Sequence, residues 1–121
     1  MAVVDWTSQT RTFQHPGTVM IVGTVTIEDG NDSVEVRIGE VGSFMRSVIV
    51  IPTLDASQTT TVEVLHTGGG RAFDSADDLA HNSTHHLDFN ARIQSSATLK
   101  LTTSAAVSGN DVYTLVLVIL Q

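Results

Sequence analysis

The side chains best able to do chemistry are carboxylates and imidazoles clustered in one segment, at Asp74, Asp77, Asp78, His81, His85, His86 and Asp88. If the segment were helical, Asp77 and His81 would share one face, as would His81 and His85, and mixed carboxylate and imidazole sets bind metal ions. Their spacing matches no defined metal motif, and a strand starting at Leu87 would turn His85 and His86 to opposite faces. The sequence therefore favours a solvated, pH-responsive loop, with metal binding at His81 and His85 as the alternative.

The sequence contains few of the residues and motifs that covalent catalysis requires. The absence of cysteine excludes a thiolate nucleophile, a disulfide framework and a zinc–thiolate site. The serines form neither a Gly-x-Ser-x-Gly elbow nor a Ser-x-x-Lys motif, and Lys100 is the sole lysine. The run Gly68-Gly69-Gly70-Arg71 lacks the lysine and the hydroxyl residue of a phosphate-binding loop. We expect no enzyme activity, no cofactor and no bound metal.

Composition and charge indicate one β-rich domain. The chain has 121 residues, 41% of them hydrophobic and 16% charged, and its commonest residues are valine and threonine. This length suits one core, so we assign residues 1–121 to a single domain. The formal net charge of −7 would repel nucleic acid. Because no apolar run approaches the roughly 20 residues of a spanning helix and no signal-like leader is evident, we expect synthesis in a cytoplasm and no membrane insertion.

The rest of the fold is organised around an uninterrupted apolar run at residues 112–120, introduced by Gly109-Asn110-Asp111. β-Branched residues dominate this run, which predicts a strand that is apolar on both faces and therefore central in a sheet. With the alternating segments upstream, the sequence predicts an all-β fold of about seven or eight antiparallel strands in a jelly-roll-like β-sandwich.

Two turns predict local hairpins. A turn centred on Gly30-Asn31 would place Ile27 opposite Val34, so that the apolar residues of both strands face the same side of one sheet. A second turn, at residues 94–96, would join its flanking strands in the same way.

The longest interruption of the strand pattern covers residues 67–86 and opens with three glycines. Within it, Ser75 followed by Asp78 resembles a capping box. We therefore predict one long loop that contains a short helix over residues 76–81.

Residues 1–16 differ from the strands because they carry Trp6 and Phe13 among polar residues with little periodicity. Such a segment is typical of an arm that docks on a neighbouring molecule. The alternative is a segment that packs across its own domain with Trp6 as an anchor.

The whole chain has the composition of a small, acidic, cysteine-free and Val/Thr-rich β-protein. This style of sequence is seen in the stretches Ala97-Thr98-Leu99-Lys100-Leu101-Thr102-Thr103 and Gly109-Asn110-Asp111-Val112-Tyr113-Thr114-Leu115. In this style the chain resembles the accessory virion proteins of tailed bacteriophages, and within that group the capsid decoration, or cement, proteins. The resemblance rests on no diagnostic motif.

The resemblance implies a structural virion protein on the capsid exterior, made in the host cytoplasm, which binds major capsid subunits as a homotrimer and stabilises the shell. The alternatives are a phage neck or tail subunit and a lectin-like, carbohydrate-binding β-sandwich. We expect contacts around residues 2–13 and 68–85, with the candidate interface side chains Trp6, Phe13, Arg71 and Phe73.

Overall fold

The computed structural model describes residues 3–14, 17–39, 42–50, 57–65, 72–89, 92–94 and 96–121. Within these ranges the chain forms ten strands and no helix. The strands are β1 (Ser8–Gln14), β2 (Thr18–Ile27), β3 (Ser33–Arg37), β4 (Gly42–Val50), β5 (Thr59–Leu65), β6 (Ala72–Ala80), β7 (Thr84–Leu87), β8 (Arg92–Ile93), β9 (Thr98–Thr103) and β10 (Asp111–Leu120). The number of strands exceeds the predicted seven or eight because β6 forms where a loop with a short helix was predicted, and because two short strands, β7 and β8, precede Gln94 where one strand was expected.

The strands form two antiparallel sheets. A six-stranded sheet has the order β1-β2-β10-β4-β7, with β8 also paired to β4, and a four-stranded sheet has the order β3-β9-β5-β6. The pairs β5·β6, β4·β7, β3·β9 and β2·β10 are nested in sequence, as in one long hairpin folded over itself. This is jelly-roll topology, so the predicted all-β sandwich is confirmed.

The C-terminal strand β10 is central, as predicted, because it pairs with β2 on one side and β4 on the other. Its inward face is buried in the core through Tyr113, Leu115, Leu117 and Ile119. Its other face is only partly covered, and Val112 at one end is 39% exposed. The two apolar faces expected for this strand would both be covered if the domain buried them, but the domain covers only one fully, so the second apolar face needs another explanation.

Neither predicted hairpin forms. Asn31 N donates to Glu28 O at 3.0 Å, so the turn is present, but Ile27 pairs with Asp111 and Val34 with Leu101, in opposite sheets. β8 and β9 also belong to different sheets, since β8 pairs with β4 and β9 pairs with β3 and β5. Alternation in the sequence indicates which face of a strand is apolar. Two strands can bury their apolar faces against each other across the core as well as side by side in one sheet, so alternation alone does not predict a hairpin.

The short helix predicted over residues 76–81 is also wrong, because these residues belong mostly to β6, the edge strand of the four-stranded sheet. Thr60 pairs with Leu79 and Val62 with Ala76, so an extra residue bulges out of β6 at Asp77 and Asp78. Asp78 has φ 53°, a left-handed conformation that Asp tolerates better than most residues. Bulges and charges on an edge strand discourage pairing with other chains.

Candidate functional site

The cluster of histidine and aspartate residues does not form a shared site. His81 is buried and its Nε2 lies 2.8 Å from Thr60 Oγ1, whereas His85 Nε2 lies 2.7 Å from the Ala80 carbonyl oxygen and donates to it. His86 is exposed on β7. Among the residues that the structure describes, no three His, Asp or Glu side chains are arranged to hold a metal ion.

A buried polar bridge links the two sheets. Thr60 Oγ1 on β5 contacts both His81 Nε2, at 2.8 Å, and the hydroxyl of Tyr113 on β10, at 3.0 Å. Burial raises the pKa of Tyr113; the hydrogen bond from Thr60 lowers it and Asp111 raises it further. The exposure of these three side chains does not exceed 6%, so the bridge holds the sheets together and offers no surface to a substrate. One sequence signal pointed to it: a buried tyrosine hydroxyl needs a hydrogen-bond partner.

The N-terminal segment crosses from the six-stranded sheet to the edge of the four-stranded sheet. Val4 N donates to Glu35 O at 2.9 Å and Trp6 Nε1 donates to Arg37 O at 2.8 Å, so both cover outward carbonyl groups of β3. The indole of Trp6 also packs against the core. Segment 3–7 thus lies across its own domain in this structure.

Of the other candidate interface residues, Phe13 and Phe73 belong to strands of different sheets. Phe13 is 71% exposed on β1, the edge strand of the six-stranded sheet. Phe73 belongs to β6, at an edge of the other sheet, and Arg71 lies outside the described residues.

A larger feature, which the sequence reasoning missed, is the outer face of β1, β2 and β10. By strand alternation it carries Ser8, Thr10, Thr12, Thr18, Met20, Val22, Thr24, Thr26, Val112, Thr114, Val116, Val118 and Leu120, none of which is charged. Val116 pairs with Val22 and Val118 with Met20, which gives the face an apolar centre. We call it the valine–threonine face.

An uncharged face is unexpected on a chain with thirteen acidic and six basic residues. Depletion of charge is a property of the central part of protein–protein interfaces. At about 3.3 Å per residue, β2 and β10 are about 33 Å long and β1 is about 23 Å long, so three such strands about 4.8 Å apart cover roughly 430 Å². Since a stable interface needs about 800 Å² from each partner, the face fits one contact among several in an assembly.

No family model and no curated protein sequence matches this chain. Solved structures of similar fold include a protein of the disulfide-linked pili of Bacillus endospore appendages, with TM-score 0.53, 10% identity and coverage of 99% of this chain and 96% of that one. A Yersinia pseudotuberculosis-derived mitogen follows at TM-score 0.43 and 12% identity, covering 84% and 86%. A carbohydrate-binding module from a Cellvibrio mixtus lichenase has TM-score 0.40 and 13% identity, covering 94% and 86%. The likeness to the pilus protein shows the fold alone.

No helix among the described residues has the length and apolarity needed to cross a membrane.

Proposed function

We propose that the protein is a non-enzymatic structural subunit of a virion, a capsid decoration protein that docks on major capsid subunits through the valine–threonine face. The observation that supports this function is the absence of charge on that face of an acidic chain. Burial of such a face requires no desolvation of ions, whereas the charged surface elsewhere would resist it.

The energy available from the face favours a repeated, multivalent contact. Val22, Val112 and Leu120 are 37%, 39% and 46% exposed. Covering the exposed part of each contributes about 1 kcal/mol, because full burial of such side chains contributes roughly 1.5–3 kcal/mol. Association costs about 4–15 kcal/mol in lost translational and rotational freedom. A single copy of the face therefore binds weakly, and we expect a homotrimer whose joined copies bind together.

Docking of this kind stabilises a shell by mass action. Each decoration protein binds the assembled capsid and not the separated subunits, so its binding free energy adds to the stability of the assembly. Phe13 is exposed on β1, but by strand alternation its side chain lies on the opposite side of the sheet from the valine–threonine face, so it is not part of this contact.

The test is co-sedimentation with virus particles. Val22→Asp places a charge at the centre of the valine–threonine face, and Ser75→Asp, at an exposed position of β6, is the matched control. We expect Val22→Asp to reduce bound copies at least tenfold while the melting temperature stays near that of the control. Binding that survives Val22→Asp would contradict the docking face.

Immunogold labelling of particles separates decoration from the neck and tail alternatives. Label over the whole capsid supports the proposal, and label confined to the neck or tail contradicts the decoration role. The homotrimer is checked by sedimentation equilibrium of the purified protein.

A further inference from the structure

We propose that a cleft between the N-terminal segment and the β2–β3 turn binds a saccharide. The cleft has a volume of about 450 Å³, within the range of about 300–1,000 Å³ found for small-molecule sites. Val4, Asp5 and Thr7 line one side, and residues of β2, the turn and the start of β3 line the other. The binding function is additional to docking on a capsid and does not depend on it.

Backbone hydrogen bonds hold both walls of the cleft. On the N-terminal side, Thr7 N donates to Thr24 O at 2.8 Å, and Val4 N bonds to β3 as described above. On the turn side, Gly30 N donates to Val107 O at 2.9 Å and Val107 N donates to Asn31 O at 2.8 Å. A site that is already formed loses little conformational entropy when a ligand binds.

The polar groups of the cleft match the hydroxyl groups of a sugar. Asp5, Glu28 and Asp32 supply carboxylate oxygens, which accept hydrogen bonds, and Asn31 adds an amide that both donates and accepts. Charge-assisted hydrogen bonds of hydroxyl donors to carboxylates are stronger than those between neutral groups.

A pair of threonine hydroxyls completes the polar lining. Thr7 Oγ1 and Thr26 Oγ1 lie 2.7 Å apart and share one hydrogen bond. Two hydroxyls carry two protons and four lone pairs, so this bond leaves the pair able both to donate and to accept. The hydroxyl groups of a sugar ring both donate and accept hydrogen bonds, so a saccharide can use the donor and the acceptor that the threonine pair offers.

Val4 and Val34 give the cleft an apolar part, against which the C–H face of a sugar ring can pack. A simple cation would use the carboxylates and other oxygen atoms but would leave the two valines without a role. The three carboxylates would repel anionic ligands, including sialylated and sulfated glycans. A neutral or amino-substituted saccharide fits all the groups together.

The experiment is a glycan array probed with the full chain, followed by NMR titration of the best neutral glycan. We expect neutral or amino glycans to bind and sialylated and sulfated ones to fail. Glu28→Ala combined with Asp32→Ala should weaken binding at least tenfold, as loss of hydrogen bonds to charged groups does. Asp77→Asn, on the distant bulge of β6, should change nothing.

A second variant separates a saccharide from a cation. Glu28→Gln keeps a hydrogen-bond acceptor and removes the charge, so affinity for the glycan should fall less than for Glu28→Ala. No amide shifts with millimolar glycan, unchanged affinity in the double variant, or shifts at the cleft with spermine alone would overturn the proposal. Thr26 belongs to both the cleft and the valine–threonine face, but Glu28 and Asp32 are not among the residues of that face. These variants should therefore still co-sediment with particles, so failure of one proposal is distinguishable from failure of the other.

Discussion

Gly23→Ala should release the N-terminal segment from the domain. Gly23 lies on the inner side of β2, opposite Gln9 of β1, where the Trp6 indole passes over the backbone. A Cβ atom at this position would lie 2.7 Å from Trp6 Cε3 and 2.5 Å from Ser8 O. Neither distance is tolerable, so either the indole or the strand β1 must move.

The expected cost is about 1–3 kcal/mol, the usual penalty for adding a methyl group to a packed site. Movement of the indole also endangers the bond from Trp6 Nε1 to Arg37 O, a net contribution of roughly 0.5–1.5 kcal/mol. Because Gly23 is buried and Ser8 O belongs to the backbone, the clash cannot be relieved by rotation of a flexible side chain.

The assay uses the fluorescence of Trp6, the chain's single tryptophan, together with urea unfolding. Gly23→Ala should shift the emission to longer wavelength, increase quenching by acrylamide and lower the free energy of unfolding. Gly30→Ala is the control: its φ of +85° makes alanine unfavourable, but nothing lies within 4 Å of its Cβ, so it should destabilise without changing the emission. Native emission and native stability in Gly23→Ala would refute the close packing of Trp6.

Two further predictions concern buried polar groups. Tyr113→Phe should cost about 1 kcal/mol at neutral pH, the value of one hydrogen bond. The pKa of Tyr113 is raised above 10.0, so the unfolded chain loses this proton first and stability should fall as pH rises from 10 through the folded-state pKa. Urea unfolding at pH 7–11 should show a shallower alkaline loss for Tyr113→Phe, and parallel losses would contradict the assignment. Thr98→Val removes the hydroxyl that donates to buried Glu35 Oε1 at 2.6 Å and should cost about 1–3 kcal/mol. A double-mutant cycle with Glu35→Gln checks this, and zero coupling energy would exclude the bond as a source of stability.

Alternation in the sequence predicted which residues are buried better than it predicted which strands pair. Val25 and Ile27 of β2 and Val34 and Val36 of β3 are all buried, as the alternation within each strand indicated. Alternation indicates which face of a strand is buried but not which strand pairs with it. The expected hairpin is absent because β2 pairs with β10 and β3 pairs with β9, strands that are distant in sequence. The prediction for the Asp-rich segment failed for a different reason. The spacing of Ser75 and Asp78 is typical of a helix start, but Asp is also tolerated in the left-handed backbone conformation that Asp78 adopts in the bulge of β6.

The proposed docking surface includes one face of the same apolar segment, residues 112–120, from which the central strand was predicted. Residues 112–120 are apolar on both faces, and the core accounts for only one of them. A sequence cannot say whether the second face meets another layer of its own chain or another molecule. The strand order decides it, because no described strand forms a layer outside β10.

The edges of the four-stranded sheet are protected, which supports the proposal that another molecule contacts the valine–threonine face and does not add a strand to this sheet. At the edge of β3, carbonyl groups accept hydrogen bonds from Val4 N and Trp6 Nε1. At the opposite edge of that sheet, β6 carries a bulge at Asp77 and Asp78. Both features discourage pairing with another chain, which is the general hazard of exposed edges. A domain that protects both edges of its four-stranded sheet and carries no charge on the outer face of β1, β2 and β10 is suited to flat, reversible docking, and Val22→Asp should disrupt assembly more than any charge added to β6.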